Sequence, residues 1–520
     1  MTLSRNTRRW FALTYIGLCI GYAVMVMWVL PWWTPALLAL AWLVPAHRFG
    51  WGAPEQRAAR RRAWPWSLLP LALWWVYIYL DDSFGKLDLG AVIFHLQAGI
   101  EENGSTDRQI AGAIYTLAAI LMLVCVTWLV RADHRWRLWE RVLSLFLLAF
   151  NPLLFGLSLR GASVIDDNAS WLADRYRPPQ IVSAPKQPPN LIYLYLESTE
   201  RTYADTQRFG NAYEDLTELG RRGVVFQGVQ QLDNTGWTMA GMVASQCGVP
   251  LMPAGLMHDN QFEPLSDVLP GVDCLGDLLK ARGYALTFMG GASTKFAGKA
   301  KFYRGHGFDT VLGKDELLDQ APADYLNDWG LYDDTLLGLA EARIRRLHDA
   351  HRPYAFFGLT LAAHPPFGHP SQSCRDNQGP FDGTDILYSV KCTGWLVKNF
   401  IARLDADGLL DNTLVVVSSD HLSMKNSAWE QLIAGPREDT LILLGKHQRP
   451  RIIERQASMV DVLPTVLEAM GFGVPDHRAG LGVSLLSSRP TLVERYSLEE
   501  LNRRMRSENR LQEELWTGVN

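Results

Sequence analysis

Apolar positions crowd the first 160 residues of this 520-residue chain and thin out afterwards into short runs. Lipid accepts only backbone that satisfies itself, so a spanning segment must be a helix of about 20 apolar residues. The stretch from Trp10 to Ala46 is too long for one such helix and contains Pro31, so it reads as two spans turning at PWWTP. Further spans are predicted over Trp64 to Leu80, Ile110 to Val130 and Val142 to Leu159, five in all. The length of the first apolar region, and the spans that follow it, argue against a cleaved signal peptide. Leu87 to Ile100 is too short to span and partly amphipathic, which predicts an interfacial helix.

Beyond this 1–160 region the pattern changes. Residues 161–189 are polar and proline-bearing (RPPQIVSAPKQPP), as expected of a linker. From 190 to 489 short apolar runs alternate with amphipathic stretches. LIYLYLE, VVFQGV, YALTFMG, YAFFGLTL, TLVVVSSD and LILLGK have the character of strands buried on both faces. DDTLLGLAEARIRRLHDA and TGWLVKNFIARLDADGLL read as helices between them. This alternation predicts an α/β sandwich around a largely parallel sheet, which binds ligands outside the carboxyl ends of its strands. The tail, 490–520, is a charged amphipathic helix, and its pattern suits either a cover on the domain or contact with a membrane surface.

Charge orients the membrane part. Lys+Arg 50 against Asp+Glu 54 leaves no basic excess, and no zinc-finger or RNA-binding signature appears, so no nucleic-acid partner is expected. Arginines cluster before the first span (Arg5, Arg8, Arg9), between the second and third (Arg48, Arg57, Arg60, Arg61, Arg62) and between the fourth and fifth (Arg131, Arg135, Arg137, Arg141). The loop after the third span instead carries Asp81, Asp82, Asp88, Glu101, Glu102 and Asp107. The positive-inside rule then puts everything after the fifth span outside the cytoplasm. Cys247, Cys274, Cys374 and Cys392 all lie in that exported part, which predicts two disulfides. Three connectivities are open; Cys247–Cys274 and Cys374–Cys392 close the shortest loops.

Reactive side chains fall at the predicted strand ends. Glu197 ends the first strand, Asp420 and His421 end TLVVVSSDH, and His364 follows YAFFGLTLAA. Thr238 lies in NTGWTMAGMVASQCG, in the first turn of a predicted helix, where exposed N–H groups favour an anion. Each alone has an ordinary explanation as a cap or a hydrogen-bonded structural residue. Together, Glu197, Thr238, Asp420 and His421 make a four-ligand divalent site. Hard oxygens with one imidazole suit Mn²⁺ or Mg²⁺ and do not exclude Zn²⁺.

The segments LIYLYLEST, NTGWTMAGMVASQCGVPL, TLAAHPPF, VVVSSDHLSM and SMVDVLPTVLEAMG resemble the sulfatase-like branch of the alkaline phosphatase superfamily. GMVASQCG, FAGK…HGFD and NDWGLYDD are similar to the glucan-modifying phosphoglycerol transferases within it. The lipoteichoic acid synthases are more distant relatives with the same layout of five spans and an outward-facing catalytic domain. The resemblance implies an alkaline-phosphatase-like α/β sandwich in the periplasm of a bacterium, anchored in its inner membrane. It implies one divalent metal, Mn²⁺ ahead of Mg²⁺ or Zn²⁺, on Glu197, Thr238, Asp420 and His421, with Thr238 also the nucleophile. His364 would contact the phosphate or glycerol and serve in catalysis. Lys299 would supply a cation where the synthases have an arginine, and Trp329 either an aromatic wall for substrate or a core residue. Donor and acceptor would be phosphatidylglycerol from the lipid bilayer and a periplasmic glucan oligosaccharide. The alternatives are phosphoethanolamine transfer to lipid A or another glycan, and an inactive relative that binds lipid or glucan. The formylglycine motif Cys-x-Pro-x-Arg of sulfatases is absent, since Gly248, Val249, Pro250 and Leu251 follow Cys247.

Overall fold

The computed structural model describes residues 170–252, 267–322, 324–378, 386–508 and 510–517, with short helical pieces at 69–70, 72–77, 145 and 148–149 and the adjoining residues 150 and 151. The five predicted spans, apart from those pieces, and the predicted helix at 87–100 lie outside the described residues. Among the described residues no helix is long and apolar enough to cross a membrane. The chain divides into two compact units, and the second takes in everything from Leu159 onward.

The centre of this second unit is an eight-stranded sheet built from β1 (Asn190–Leu196), β2 (Val224–Gln230), β3 (Ala285–Gly290), β4 (Thr310–Leu312), β5 (Tyr354–Leu359), β6 (Thr413–Ser419), β7 (Leu441–Leu444) and β8 (Arg451–Ser458), in the order β4-β3-β5-β1-β6-β7-β2-β8. All six predicted strands are present. The sheet is mixed: β7 runs antiparallel to both β6 and β2, and the other pairings are parallel. A small hairpin of β9 (Arg478–Ala479) and β10 (Gly482–Val483) lies apart. The apolar-run criterion finds central strands such as β1, six of whose seven residues are buried. It misses β8, an edge strand whose RIIERQ portion is exposed or half-buried and so carries no apolar run.

The helices that position the site are α1 (Glu214–Gly220), α2 (Thr238–Cys247), α3 (Lys299–Gly305), α4 (Asp333–Asp349), α5 (Ile386–Ala406), α6 (Val462–Ala469), α7 (Leu498–Ser507) and α8 (Arg510–Thr517). Successive strand residues point to opposite faces, so β1 feeds two cores. Ile192, Leu194 and Leu196 pack with α1, α4 and α5; Leu191, Tyr193 and Tyr195 share the other core with α2, α3, α6, α7 and α8. Helix α5 starts seven residues before the predicted TGWLV segment.

The tail packs on the domain: Leu501, Met505, Leu511, Leu515 and Trp516 are buried in the α2-side core. Residues 170–183, within the predicted linker, lie against the same unit. Arg177 exchanges backbone hydrogen bonds with Gly480, at 2.8 and 2.7 Å, and the Leu172 N–H donates to the Glu508 carboxylate at 2.6 Å. Of the three possible connectivities the two with the shortest loops are present, Cys247–Cys274 and Cys374–Cys392.

Candidate active site

Strand register brings the first two acidic groups together. Leu196 of β1 pairs with Ser419 of β6, so the next residues, Glu197 and Asp420, leave the sheet side by side at its carboxyl edge. β5 flanks β1 on the other side, and its exit residue Thr360 accepts the Glu197 N–H at 3.1 Å. The His364 loop follows, and the loop after β3 delivers Lys299. Thr238 comes from further away: residues 231–237 cross from the end of β2, past β7, to the first turn of α2. That helix comes unusually close, because a Cβ on Gly241 would lie 1.6 Å from the Asp420 carbonyl oxygen.

The groups then face one another. His421 Nε2 lies 3.4 Å from Glu197 Oε1 and 3.3 Å from Asp420 Oδ2, and the Thr238 hydroxyl donates to Glu197 Oε2 at 3.3 Å. Glu197, Asp420 and His421 are buried, and one ligand atom from each lies within 4.8 Å of the others. Local structure aims them. Ser198, at φ 54°, turns its N–H onto Asp420 Oδ1 (2.9 Å) and its hydroxyl onto Glu197 Oε1 (2.8 Å). The His421 N–H also donates to Asp420 Oδ1 at 2.9 Å, which leaves Oδ2 to face inward. His421 Nδ1 meets the Leu422 carbonyl at 2.7 Å, so Nδ1 carries a proton and Nε2 is the nitrogen that faces the carboxylates.

Two buried atoms, Asp420 Oδ2 and His421 Nε2, therefore have no hydrogen-bond partner. Buried polar atoms are rarely left so, and here both are metal-ligand types aimed at a common point. The donor set fits a divalent cation. Electrostatics agree. Burial and the Glu197 charge push Asp420 up to about 8. On Glu197 burial is outweighed by the neighbouring His421 and His364 rings, which hold it well below the usual carboxylate range. On His421 burial is overcome by Asp420 and Glu197, which raise the ring to about 10. The three groups draw in a proton that a divalent cation would displace.

The residues expected to touch substrate form a second cluster. Lys299 is almost fully buried at the start of α3 and donates to the Phe296 carbonyl at 2.9 Å, with Nζ 4.8 Å from the Phe296 ring. Burial lowers it to about 8, against the pull of Glu197 and Asp420. Phe296 meets Trp329 edge-on at 5.7 Å, and Trp329 lies 4.2 Å from the His364 ring. Trp329 is thus buried, as a core residue is, and also in contact with His364. His364 Nδ1 lies 2.8 Å from the Pro365 carbonyl.

Sequence reasoning missed several supports. Glu200, fully buried, pairs with Arg437 through Nε (3.0 Å) and a second guanidinium nitrogen, and accepts the Ser423 N–H at 2.8 Å. Arg437 also donates to the Ser423 carbonyl at 2.6 Å, so the pair grips the loop two residues beyond His421. Asp333 accepts the Leu361 and Ala362 N–H groups, at 2.6 and 3.0 Å, and so fixes the loop that ends at His364. Of these, Asp333 alone begins a segment with a helical pattern, DDTLLGLAEARIRRLHDA, and that pattern says nothing of its carboxylate. A third cluster, Cys274, Asp277 and His306, is no metal site: Cys274 is in a disulfide, and both His306 nitrogens are taken, by Asp277 and the Val268 carbonyl. Cys247 is likewise in a disulfide, at the far end of α2 from Thr238.

Comparison with known proteins gives the following likenesses. The chain is 33% identical over 448 residues to phosphoglycerol transferase I of Citrobacter koseri, covering 83% of this chain and 58% of that one. It is 36% identical over 328 residues to phosphoglycerol transferase I of Shigella flexneri, covering 62% and 42% respectively. The chain thus spans about half the length of these relatives. Among solved structures, a lipoteichoic acid synthase from Listeria monocytogenes superposes with a TM-score of 0.48 at 18% identity, covering 61% of this chain and 81% of that one. The family profile described as Sulfatase matches residues 189–472, which spans the sheet and all the site residues, and the chain belongs to that family.

Proposed function

We propose that this protein is a membrane-anchored phosphoglycerol transferase, moving glycerol phosphate from phosphatidylglycerol to a periplasmic glucan through a covalent intermediate on Thr238. The observation that carries the reading is the Thr238 hydroxyl on Glu197, beside the unpartnered ligand atoms of Asp420 and His421. The names of the relatives support the transferred group, and the absent Cys-x-Pro-x-Arg motif and the disulfide at Cys247 speak against sulfatase chemistry.

Glu197, Asp420, His421 and the Thr238 hydroxyl would hold one divalent cation, with Mn²⁺ expected first. Such an ion favours the alkoxide of a bound hydroxyl and offsets charge on phosphate oxygens. Thr238 Oγ1 forms its bond to phosphorus as the bond to the diacylglycerol oxygen breaks. His364 relays the threonine proton to that leaving oxygen. Lys299 lies against the developing charge of the non-bridging oxygens. In the second half a glucan hydroxyl attacks phosphorus, its proton returns to Thr238 Oγ1, and the threonine is free again.

The five predicted spans would hold this domain outside the cytoplasmic membrane, within reach of lipid head groups. Withdrawing acyl chains into water would otherwise cost about 0.8 kcal/mol per CH₂. The test is release of diacylglycerol from phosphatidylglycerol by the full chain, alongside Thr238→Ala and chelator-treated protein. Both should lose it; release by either would sink the proposal. The mass of an adduct trapped on the Thr238 peptide separates phosphoglycerol from phosphoethanolamine transfer.

A further inference from the structure

The C-terminal tail reaches the loop that carries Thr238. Within that loop Thr235 turns back on the Leu232 carbonyl through its N–H (3.3 Å) and hydroxyl (2.8 Å), and Asn234 sits at φ 60°. The apex beside them is pinned from α7. Asn502 Oδ1 accepts the Asp233 N–H at 2.9 Å, and Arg506 donates to Asp233 Oδ2 at 3.1 and 2.9 Å. Asn502 is 9% exposed, a seated side chain. Arg506 is open to solvent, and an ion pair of that kind alone is worth little. Helix α7 is itself anchored. Leu501 and Met505 are buried in the core, and Arg504 lies 4.3 Å over the Trp171 ring. Just beyond α7, Glu508 accepts the N–H groups of Leu172 and Leu511.

We propose that the tail is a positioning element for Thr238, acting through Asn502, with Arg506 in support, on the apex of the 231–237 loop. This rests on the reading of Thr238 as nucleophile. Thr238 is the first residue of its helix, entered from Trp237 in an extended conformation, so the loop sets where its hydroxyl lies. Its contact with Glu197 is already 3.3 Å, and slack in the loop would open it. Misplacement of a reacting group by 1 Å can cost about 10²-fold in rate. The same tail grips Trp171 and Leu172, so Thr238 is held in register with the point where the chain enters the domain.

The test uses the full chain with Asn502→Ala, Arg506→Ala and Asn502→Asp, the last keeping an acceptor oxygen for the Asp233 N–H. Two readouts are taken: kcat and KM for diacylglycerol release, and hydrogen exchange of amides 231–240, which needs no activity. The expected result is a loss in kcat approaching 10²-fold for Asn502→Ala at near-constant KM. Exchange in the loop should be faster, the unfolding midpoint unchanged, and Asn502→Asp should recover most of kcat. Arg506→Ala should do the same more weakly. Unchanged exchange in Asn502→Ala overturns the proposal, as does faster exchange with full kcat. A kcat loss that tracks a lowered unfolding midpoint and is not recovered by Asn502→Asp also overturns it. A wild-type chain inactive on phosphatidylglycerol would refute the proposed donor, while the exchange arm still judges the tail.

Discussion

Gly241→Ala separates two physical expectations of opposite sign. In a helix interior alanine is favoured over glycine by about 0.5–1 kcal/mol, because glycine loses more backbone freedom on folding. Propensity alone therefore predicts a more stable protein. The structure predicts the reverse. A Cβ at 241 would lie 1.6 Å from the Asp420 carbonyl oxygen and 2.7 Å from its carbonyl carbon, and both are backbone atoms with no rotamer to escape into. Restoring ordinary contact needs α2 and the end of β6 to part by more than an ångström. Overpacking of this kind costs about 1–3 kcal/mol.

The functional cost is larger. Thr238 is three residues before Gly241 on α2, and Asp420 is the very group being pushed away, so the strain falls between proposed nucleophile and proposed ligand. A separation of this size is expected to lower kcat by about 10²-fold or more. Gly338→Ala is the control: it too lies inside a helix, α4, but nothing stands within 4 Å of its Cβ, so it should gain the propensity term and keep activity. Denaturant unfolding, diacylglycerol release and metal content of purified protein are the assays. If Gly241→Ala unfolds later than wild type, or retains wild-type metal and turnover, the close approach of α2 to β6 is not what builds the site.

Two further predictions concern charge. Lys299, lowered to about 8 by burial, is cationic below that pH and neutral above it, so kcat/KM should fall as pH rises through about 8. Lys299→Arg, which stays charged, should shift that limb upward; a limb unmoved in the variant would belong to another group. Arg437→Met alone leaves the fully buried Glu200 carboxylate without its partner and should cost about 3–5 kcal/mol by denaturant unfolding, whereas adding Glu200→Gln should recover most of it.

How much of this molecule is legible in its sequence depends on the range of the forces involved. β1 and β6 are legible because a strand covered on both faces has little room for polar residues, and Glu197 and Asp420 end such runs. That the two emerge side by side depends on the Leu196–Ser419 register, which no local pattern encodes. β8 is illegible because an edge strand needs no apolar run. Gly241 looks like any helical glycine, since its reason is the backbone of a residue 179 positions away. Glu200 and Arg437 look like surface charges, because burial as a bidentate pair is a tertiary fact. Phe296 joins Lys299 to Trp329 and through it to His364, a link that nothing in the KFAGK segment announces.

The charge count at the site explains why these supports are arranged as they are. With a divalent cation bound, Glu197 and Asp420 would each carry a negative charge in this buried region, and His421, protonated at Nδ1, would be a neutral ligand through Nε2. The three sum to minus two, which a divalent cation cancels and a monovalent one does not. The phosphodiester proposed to react at Thr238 would add one more negative charge, and Lys299, a buried cation, spends a hydrogen bond on the Phe296 carbonyl and none on the carboxylates. Had Lys299 been paired directly with Glu197 or Asp420, it would have competed with the metal and had nothing left for the phosphate. Burial supports this division of labour: it penalises any uncompensated charge, so the pocket favours a substrate that brings one negative charge over one that brings none or two. A phosphodiester lipid carries one such charge at its phosphorus, whereas a phosphate monoester carries nearly two, and that count supports the diester donor proposed above.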